Sequence, residues 1–514
     1  MESANRNAGA AGRARAALTA VASILVLMWP ALINGQPFYF SDTSSYVRAG
    51  DVIAHIIGGP SARTLWTRPD PDAQTPTAAS AASEKTSGLR PAARGNDPDS
   101  GYIMAGRSPY FGIVLWLGWL SSRFWLFVLL QAAIAYFLIG AALRCFGLDR
   151  PGLKLTAVAL LSLLSPLALY NGVLLADALS GFGCVAFLIL LAPRVLFARW
   201  EILLLALVLI ASVVSHLTHL VILAGMVAVL GALIGTGWVA RREASRAMLI
   251  GMAAVVTGVA SIAATSVAVK AHFGQAPVLV PLITARFIAD GPGRDYIEAG
   301  CGGRAFAVCR IPYRAWTSST VFLWSTEPAT GAFLLADSDM RRAMSIEDKA
   351  FAVAVARAYP VRTLRVAVWN SLLQLTDLRV DIVQEVCFAT PACIGKQFPD
   401  EIVREIAATP AGRGAWPLAA MNIVIYASVA LSLVALMMLL PGLRASAPAA
   451  ARLICLWLLL LALAMAINGF LGGAISEPQS RYQTRMIWPL PLLAIIALFV
   501  ARLRPSDAPE GAAS

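Results

Sequence analysis

Three short stretches beside the long apolar runs each carry residues able to do chemistry. The first is Phe38-Tyr39-Phe40-Ser41-Asp42-Thr43-Ser44-Ser45-Tyr46, a few residues after the first long apolar run. A carboxylate placed there sits where lipid gives way to water, and flanking aromatic rings suit that interface. An acid at this depth can meet both a lipid-borne and a soluble reactant, so Asp42 is read as a general base, with Tyr46 as a binding residue. The plainer reading is that Asp42 marks the end of a helix. The second stretch runs from Ser165 to Asp177 and puts Asp177 at the same level as Asp42. An ionisable group in so apolar a setting points to function by default, although an Asp there also suits a helix N-cap. The third is Ser476-Glu477-Pro478-Gln479-Ser480-Arg481-Tyr482-Gln483-Thr484-Arg485, before Trp488-Pro489-Leu490-Pro491. Guanidinium groups clamp phosphates, which makes Arg481, Tyr482 and Arg485 candidates for binding an anionic headgroup; interfacial anchoring is the alternative.

Three further residues join the candidates. Arg107, in Gly106-Arg107-Ser108-Pro109, suits a phosphate or a lipid headgroup. His216 and His219 stand three apart and so share a helical face, where they bind phosphate or metal or simply make polar contacts between helices. No cofactor is assigned beyond a divalent metal ion as one option at Asp177. The CxxC spacing of a zinc site is absent, as are a Gly-rich phosphate loop, a nucleotide fingerprint and a serine-hydrolase elbow.

The elements that must position these groups are membrane helices. The chain has 514 residues, 58% hydrophobic and 14% charged, with a mean hydropathy of +0.70, outside soluble-domain norms. A helix needs about 20 apolar residues to cross the hydrocarbon. About ten stretches qualify, near 16–35, 123–145, 153–171, 178–197, 201–217, 219–238, 247–269, 417–440, 453–473 and 486–503. The fifth and sixth read as two short spans or one re-entrant pair. Arg6, Arg13, Arg15, Arg144, Arg150, Lys154, Arg194, Arg199, Arg241, Arg242, Arg246, Arg444, Arg452, Arg502 and Arg504 all fall on one side of a ten-span arrangement. By the positive-inside rule that side is cytoplasmic, with both termini on it and the long loops outside a plasma (inner) membrane. The first span lacks a clear cleavage site and reads as an uncleaved anchor. The formal charge of +12 is largely this inward set, so contact with membrane lipid, not nucleic acid, accounts for it.

The resulting order is a cytoplasmic N-terminus with the first span (1–35), a first outer loop (36–122), spans two to seven (123–269), an outer soluble loop domain (270–416), and the last three spans with a cytoplasmic tail (417–514). Within the first loop, residues 58–101 are rich in Pro, Ala, Ser and Gly and read as a disordered insertion, followed by a helix over 109–121. Within the outer domain, Ser345-Ile346-Glu347-Asp348 predicts the start of a helix running to Tyr359. Pro360 opens another, with Val361, Leu364, Val368, Leu372 and Leu375 on one face. Those two helices rest on the membrane, cover a site, or pack within the domain. Four of the seven cysteines, Cys301, Cys309, Cys387 and Cys393, lie in this domain. Pairing of neighbours is the simplest of three connectivities in an oxidising compartment.

The layout resembles the multi-spanning glycosyltransferases of the GT-C fold, the superfamily of protein O-mannosyltransferases and lipid A aminoarabinose transferases. The resemblance rests on Asp42 just after the first span, Asp177 at the next outer mouth, and Arg481-Tyr482 before a last span holding Pro489 and Pro491. Thr43 stands where the family often has a second acid, which leaves a metal requirement open. The resemblance implies an all-α polytopic enzyme that transfers sugar from a polyprenyl-phosphate donor to an acceptor, unidentified here, on the outer face. Asp42 would be the base, Arg481 or Arg485 would neutralise the leaving phosphate, and Asp177 would steady a metal, orient the acceptor or stabilise charge on the sugar. A transporter or lipid flippase ranks second, because transporters place their polar site near the midplane, often within inverted repeats. A non-catalytic envelope-assembly partner working through the outer domain is third.

Overall fold

A computed structural model of the chain describes residues 2–67, 103–312, 316–325, 327–383, 386 and 398–502. The chain opens with α1 (Glu2–Asn34) and α2 (Ser41–Gly58); after β1 (Met104–Ala105) come α3 (Pro109–Ser122), α4 (Trp125–Arg144), α5 (Pro151–Leu164) and the short α6 (Leu167–Gly172). Then follow α7 (Ala178–Ile189), α8 (Arg199–Ser215), α9 (Leu217–Gly235) and α10 (Arg241–Phe273). Beyond β2 (Val278–Leu279) lie α11 (Leu282–Ala289), α12 (Pro292–Glu298), α13 (Ser319–Trp324), α14 (Ser338–Ala358), α15 (Pro360–Thr376) and α16 (Asp400–Ala407). The chain closes with α17 (Leu418–Ser446), α18 (Pro448–Phe470), α19 (Ser480–Ile487) and α20 (Pro489–Arg502).

The protein is an all-α, membrane-embedded bundle. Seven helices among the described residues are long and apolar enough to cross a membrane: α1 from Ala14, α4, α9, α10, α17, α18 with the π turn that follows it, and α19 with α20. The third, fourth and fifth predicted spans are shorter. Pro166 breaks the third into α5 and α6, since it cannot supply a helical N–H. Helices α5, α7 and α8, of 14, 12 and 17 residues, reach roughly 21, 18 and 26 Å at the α-helical rise, short of the ~30 Å hydrocarbon. Every residue of α7 is buried, so it is a core helix. The fifth and sixth stretches are two separate helices, α8 and α9, joined at an extended His216 (φ −155°, ψ 132°).

Away from Asp42 the connections are held by the basic residues. Arg144 pairs with Asp149 and, at 2.6 Å, with Glu201; Arg246 donates to the Leu190 and Ala192 carbonyls, and Arg452 to that of Trp238. Apolar side chains such as Leu249 and Val256 on α10 and Leu431, Met437 and Met438 on α17 point outward, as lipid-facing helices require.

The 270–416 segment divides. Residues 278–355 build a separate core around Phe306, Trp316, Phe322, Phe333 and Phe351, closed by the Cys301–Cys309 disulfide. Leu378, Val380, Ile382, Phe398, Ile402 and Trp416 belong instead to the bundle core. Cys387 and Cys393 lie outside the described residues. Helix α14 starts seven residues before the predicted Ser345, because Asp337 caps it by accepting from Met340 N at 2.7 Å. The polar run that suggested a helix start holds neighbouring segments: Ser345 Oγ accepts from Leu279 N, Glu347 from Ala307 N, and Asp348 from Thr284 N.

Helix α15 is amphipathic in the inverted sense. Val361, Leu364, Val368, Trp369 and Leu372 are exposed, while Asn370 and Gln374 face inward. Asn370 Nδ2 donates to Asp290, and Gln374 Nε2 donates to Gln479 O at 2.9 Å while its Oε1 accepts from Gln479 N at 2.8 Å. Residues 58–67, expected to be part of a disordered insertion, are instead packed against the bundle. Trp66 is buried against Trp119 and Phe398, and Asp51 accepts from Thr64 N, Thr67 Oγ1 and Trp116 Nε1, tying 58–67 to α2 and α3. Residues 68–102 lie outside the described set.

Candidate functional site

Backbone pairing brings the first two polar stretches together. Phe38 and Val173 form a parallel bridge: Phe38 N donates to Gly172 O at 2.8 Å, and Leu174 N to Phe38 O at 3.0 Å. Thr43 Oγ1 accepts from Phe40 N and donates to Leu174 O at 3.0 Å, so the turn entering α2 is locked to the strand-like run before Asp177. The third stretch joins through Tyr170, whose hydroxyl donates to Arg481 O at 3.2 Å, and through Phe40, whose ring lies 4.5 Å from the Arg481 guanidinium carbon. Asp42, Asp177, Arg481 and Arg485 are thereby held at one end of the bundle.

Two close approaches set the remaining geometry. Helices α2 and α3 cross at Gly50 and Gly112, where a Cβ on Gly112 would lie 2.6 Å from Tyr46 O and one on Gly50 would lie 2.6 Å from Gly112 O. Only glycine allows that contact, and it brings Arg107, just ahead of α3, beside the first turn of α2. Arg107 is framed by β1, which pairs with β2, and by Ser108, which caps α3 and donates to Val214 O at 2.6 Å.

Asp42 is held from two sides. Arg107 Nη2 donates to its Oδ1 at 2.5 Å and Arg481 Nη1 to its Oδ2 at 3.1 Å. The side chains of Asp42 and Arg107 remain 19% and 24% exposed, so the pair is open at the protein surface. Burial alone would raise the Asp42 carboxyl, but the guanidiniums of Arg107 and Arg481 outweigh it and hold the group well below the usual carboxylate range. Arg481 Nε donates to Gln479 Oε1 at 2.9 Å, and the Tyr482 ring lies 5.1 Å from Arg481 and 5.3 Å from Arg485. Tyr482 thus supports both guanidiniums. Tyr46 is buried edge-on against Phe111; burial pushes its phenol up, and its hydroxyl feels Arg107, Asp42, Asp177 and Arg481.

Asp177 differs. At the start of α7 it makes no capping hydrogen bond; its carboxylate instead pairs with Arg485 Nη1 at 3.0 Å, with side-chain exposures of 7% and 1%. Arg485 Nη2 also donates to Asn468 Oδ1 and Thr218 Oγ1, each at 3.2 Å. His216 Nδ1 accepts from Thr218 N at 3.2 Å and lies 2.8 Å from Thr218 Oγ1. The ring of His219 is 5.1 Å away, with its Nδ1 on Ser212 O. His219 is buried, whereas His216 is half-buried.

No family model, curated protein or solved structure matches this chain.

A divalent cation does not fit the donor set. Both Asp42 oxygens are taken by guanidiniums, Asp177 is paired, and three arginines face two carboxylates, leaving one positive charge over. Among the described residues no three His, Cys, Asp or Glu side chains are grouped to hold a metal ion. The surplus charge and the donor fork of each guanidinium favour an anion, phosphate above all.

The structure brings eight of the nine singled-out residues into one connected group; His219 joins through its neighbour His216. Asn468, Thr218, Gln479 and Glu477 were not singled out. Asn468 was findable as a lone amide within an apolar span. Glu477, which accepts from Ser318 Oγ, Ser319 Oγ and Thr320 N, explains part of the polarity of the last loop as a tie to the start of α13.

Proposed function

We propose that this protein is a membrane glycosyltransferase that moves a sugar from a polyprenyl-phosphate donor to an acceptor hydroxyl at the extracytoplasmic face. The observation that carries the reading is a solvent-reachable carboxylate, Asp42, set between two guanidiniums at the end of an apolar bundle. This is where a lipid phosphate and a soluble acceptor meet. In the reaction the acceptor oxygen attacks the anomeric carbon and its proton passes to Asp42, general-base help worth on the order of a hundred- to ten-thousand-fold. The bond from the anomeric carbon to the phosphate oxygen breaks, and Arg107 and Arg481 take up the charge left on the lipid phosphate electrostatically. Asp177 and Arg485 position Arg481 through the shared Tyr482 and α19 and do not touch the reactants.

The finer topology belongs to the same proposal. The three short helices α5, α7 and α8 complete ten passes with the seven longer ones. Both termini then lie in the cytoplasm, and the Arg144, Arg246 and Arg452 end faces it, in a plasma (inner) membrane. The exposed apolar face of α15 rests on the outer leaflet.

The test is sugar transfer from a panel of polyprenyl-phosphate sugars by the purified protein in lipid, with Asp42→Asn as matched control. Transfer by the wild type and not by the variant is the expected result. Full transfer by Asp42→Asn would sink the assignment of the base, and inactivity of the wild type across a panel that includes its native lipid extract would move the protein to the transport or assembly class.

A further inference from the structure

The resting arrangement of Asp42 poses a chemical problem for the proposed base. Each of its oxygens is committed to a different guanidinium, Oδ1 to Arg107 and Oδ2 to Arg481, and a carboxylate so engaged is a poor proton acceptor. The same two guanidiniums are the groups a phosphate would need. Arg107 comes from the loop before α3 and Arg481 from the first turn of α19, so they approach the carboxylate from separate elements, and a tetrahedral anion could be gripped by both. The partial exposure of Asp42 and Arg107 leaves a way in.

We propose that Asp42 and the donor phosphate are alternative occupants of one two-arginine anion site. Arg107 and Arg481 hold the carboxylate while the site is empty and turn to the phosphate when the lipid enters, releasing Asp42 to take a proton. The inference rests on the donor class proposed above and adds its regulation: the base is switched on by the substrate it serves. Two features of the structure support the exchange. With the carboxylate gone the two guanidiniums would face each other uncompensated, which raises their demand for an anion. Arg485, by contrast, is committed to Asp177 and Asn468 in a sealed place, so it cannot offer the phosphate an alternative berth.

Competition for one site makes a counterintuitive prediction, that removing the carboxylate tightens phosphate binding. The measurement is equilibrium binding to purified full-length protein in nanodiscs of neutral lipid, with three probes: a polyprenyl phosphate carrying no sugar, phosphatidic acid, and inorganic phosphate. Asp42→Asn is expected to bind polyprenyl phosphate tenfold or more tightly than wild type. Asp42→Ser, which removes the charge with less bulk, should do the same, and Arg107→Gln or Arg481→Gln should bind it at least tenfold more weakly. Equal tightening toward inorganic phosphate supports exchange at a site that reads the phosphate alone. Tightening confined to the two lipids, or to the polyprenyl chain, supports exchange at a site that also reads the tail. Binding unchanged or weakened in both charge-removed variants, or no binding of any probe, overturns the exchange. Sugar transfer by a wild type whose Asp42 variants do not tighten would refute the exchange and leave the glycosyltransferase reading standing. Tightening in a protein that transfers no sugar would keep the anion site and refute that reading.

Discussion

The protein holds two acid–arginine pairs at one end of its bundle, and they are built differently. Asp42 is shared by two guanidiniums from different elements, and its pair stays in reach of solvent. Asp177 meets Arg485 alone, and that pair is closed off, with Asn468 and Thr218 both accepting from the other terminal nitrogen of the guanidinium and its Nε left without a hydrogen-bond partner among the described residues. Burying charges is costly unless they are paired and hydrogen-bonded, and Arg485 meets that demand through Asp177, Asn468 and Thr218 at its two terminal nitrogens. The Asp42 pair leaves an excess of positive charge where a ligand can enter. Two acids at one level in the sequence thus separate into one fit for chemistry and one fit for holding the site together.

The widest gap between the pairs should appear on neutralising each acid. Asp42→Asn is expected to lower sugar transfer by about a hundred- to ten-thousand-fold, with insertion retained and only a modest fall in thermal midpoint. Activity and thermal unfolding of the same preparation in lipid check both halves. Next in size, Asp177→Ala or Arg485→Ala leaves a buried charge unpaired, at a cost of about 3–5 kcal/mol. Unfolding curves should show a larger loss of stability than Asp42→Asn causes. The double variant Asp177→Asn/Arg485→Gln should recover part of it, and stable single variants that lack only activity would reverse the assignment of roles.

A smaller effect separates positioning from charge. Gly112→Ala would set a methyl group against the Tyr46 carbonyl, at the crossing that carries Arg107 to Asp42. Overpacking of this kind costs about 1–3 kcal/mol, and the helices relieve it by moving apart. Transfer should then fall more than stability does, with the loss mainly in KM for the lipid donor, since Arg107 is the group displaced. Gly237→Ala, at a turn with positive φ and open space around it, is the control for local strain without a change at the site.

Much of this contrast was legible in the sequence as position and little of it as pairing. A single carboxylate beside aromatic rings after an apolar run locates itself, and so do two arginines one helical turn apart in a short polar loop. Partner choice depends on tertiary contacts that no local pattern encodes: the Phe38–Val173 bridge and the Gly50–Gly112 crossing decide which arginine reaches which acid. Hydropathy outran helix length in two stretches. The 153–171 stretch is largely apolar, but Pro166 cuts it, and 178–197 holds the 12-residue α7, every residue of which is buried against the rest of the protein. The α14 start was misplaced because Ser345, Glu347 and Asp348 serve distant backbone donors, which local capping rules do not foresee.

The subtlest expected difference concerns pH. The groups facing Asp42 are Arg107 from the loop before α3, Arg481 from α19 and Tyr46 from α2. The arginines stay charged and the phenol neutral between about pH 5 and 8. A carboxyl held below its unfolded value of about 3.9 contributes stability that is fully present above that value and is lost as pH falls through the folded value. The difference in thermal midpoint between wild type and Asp42→Asn should therefore be constant from about pH 5 to 8 and shrink only at lower pH. Catalysis adds a sharper reading, because kcat/KM reports the free enzyme and kcat the loaded one. If the donor phosphate draws Arg107 and Arg481 away, the acid limb of kcat lies at higher pH than that of kcat/KM. His216 interacts electrostatically with the same charges, so the profile is repeated in His216→Gln, where a limb that persists belongs to Asp42. Coincident limbs for kcat and kcat/KM would mean that the carboxylate keeps its two arginines throughout the cycle, and the open pair would then be as fixed as the sealed one.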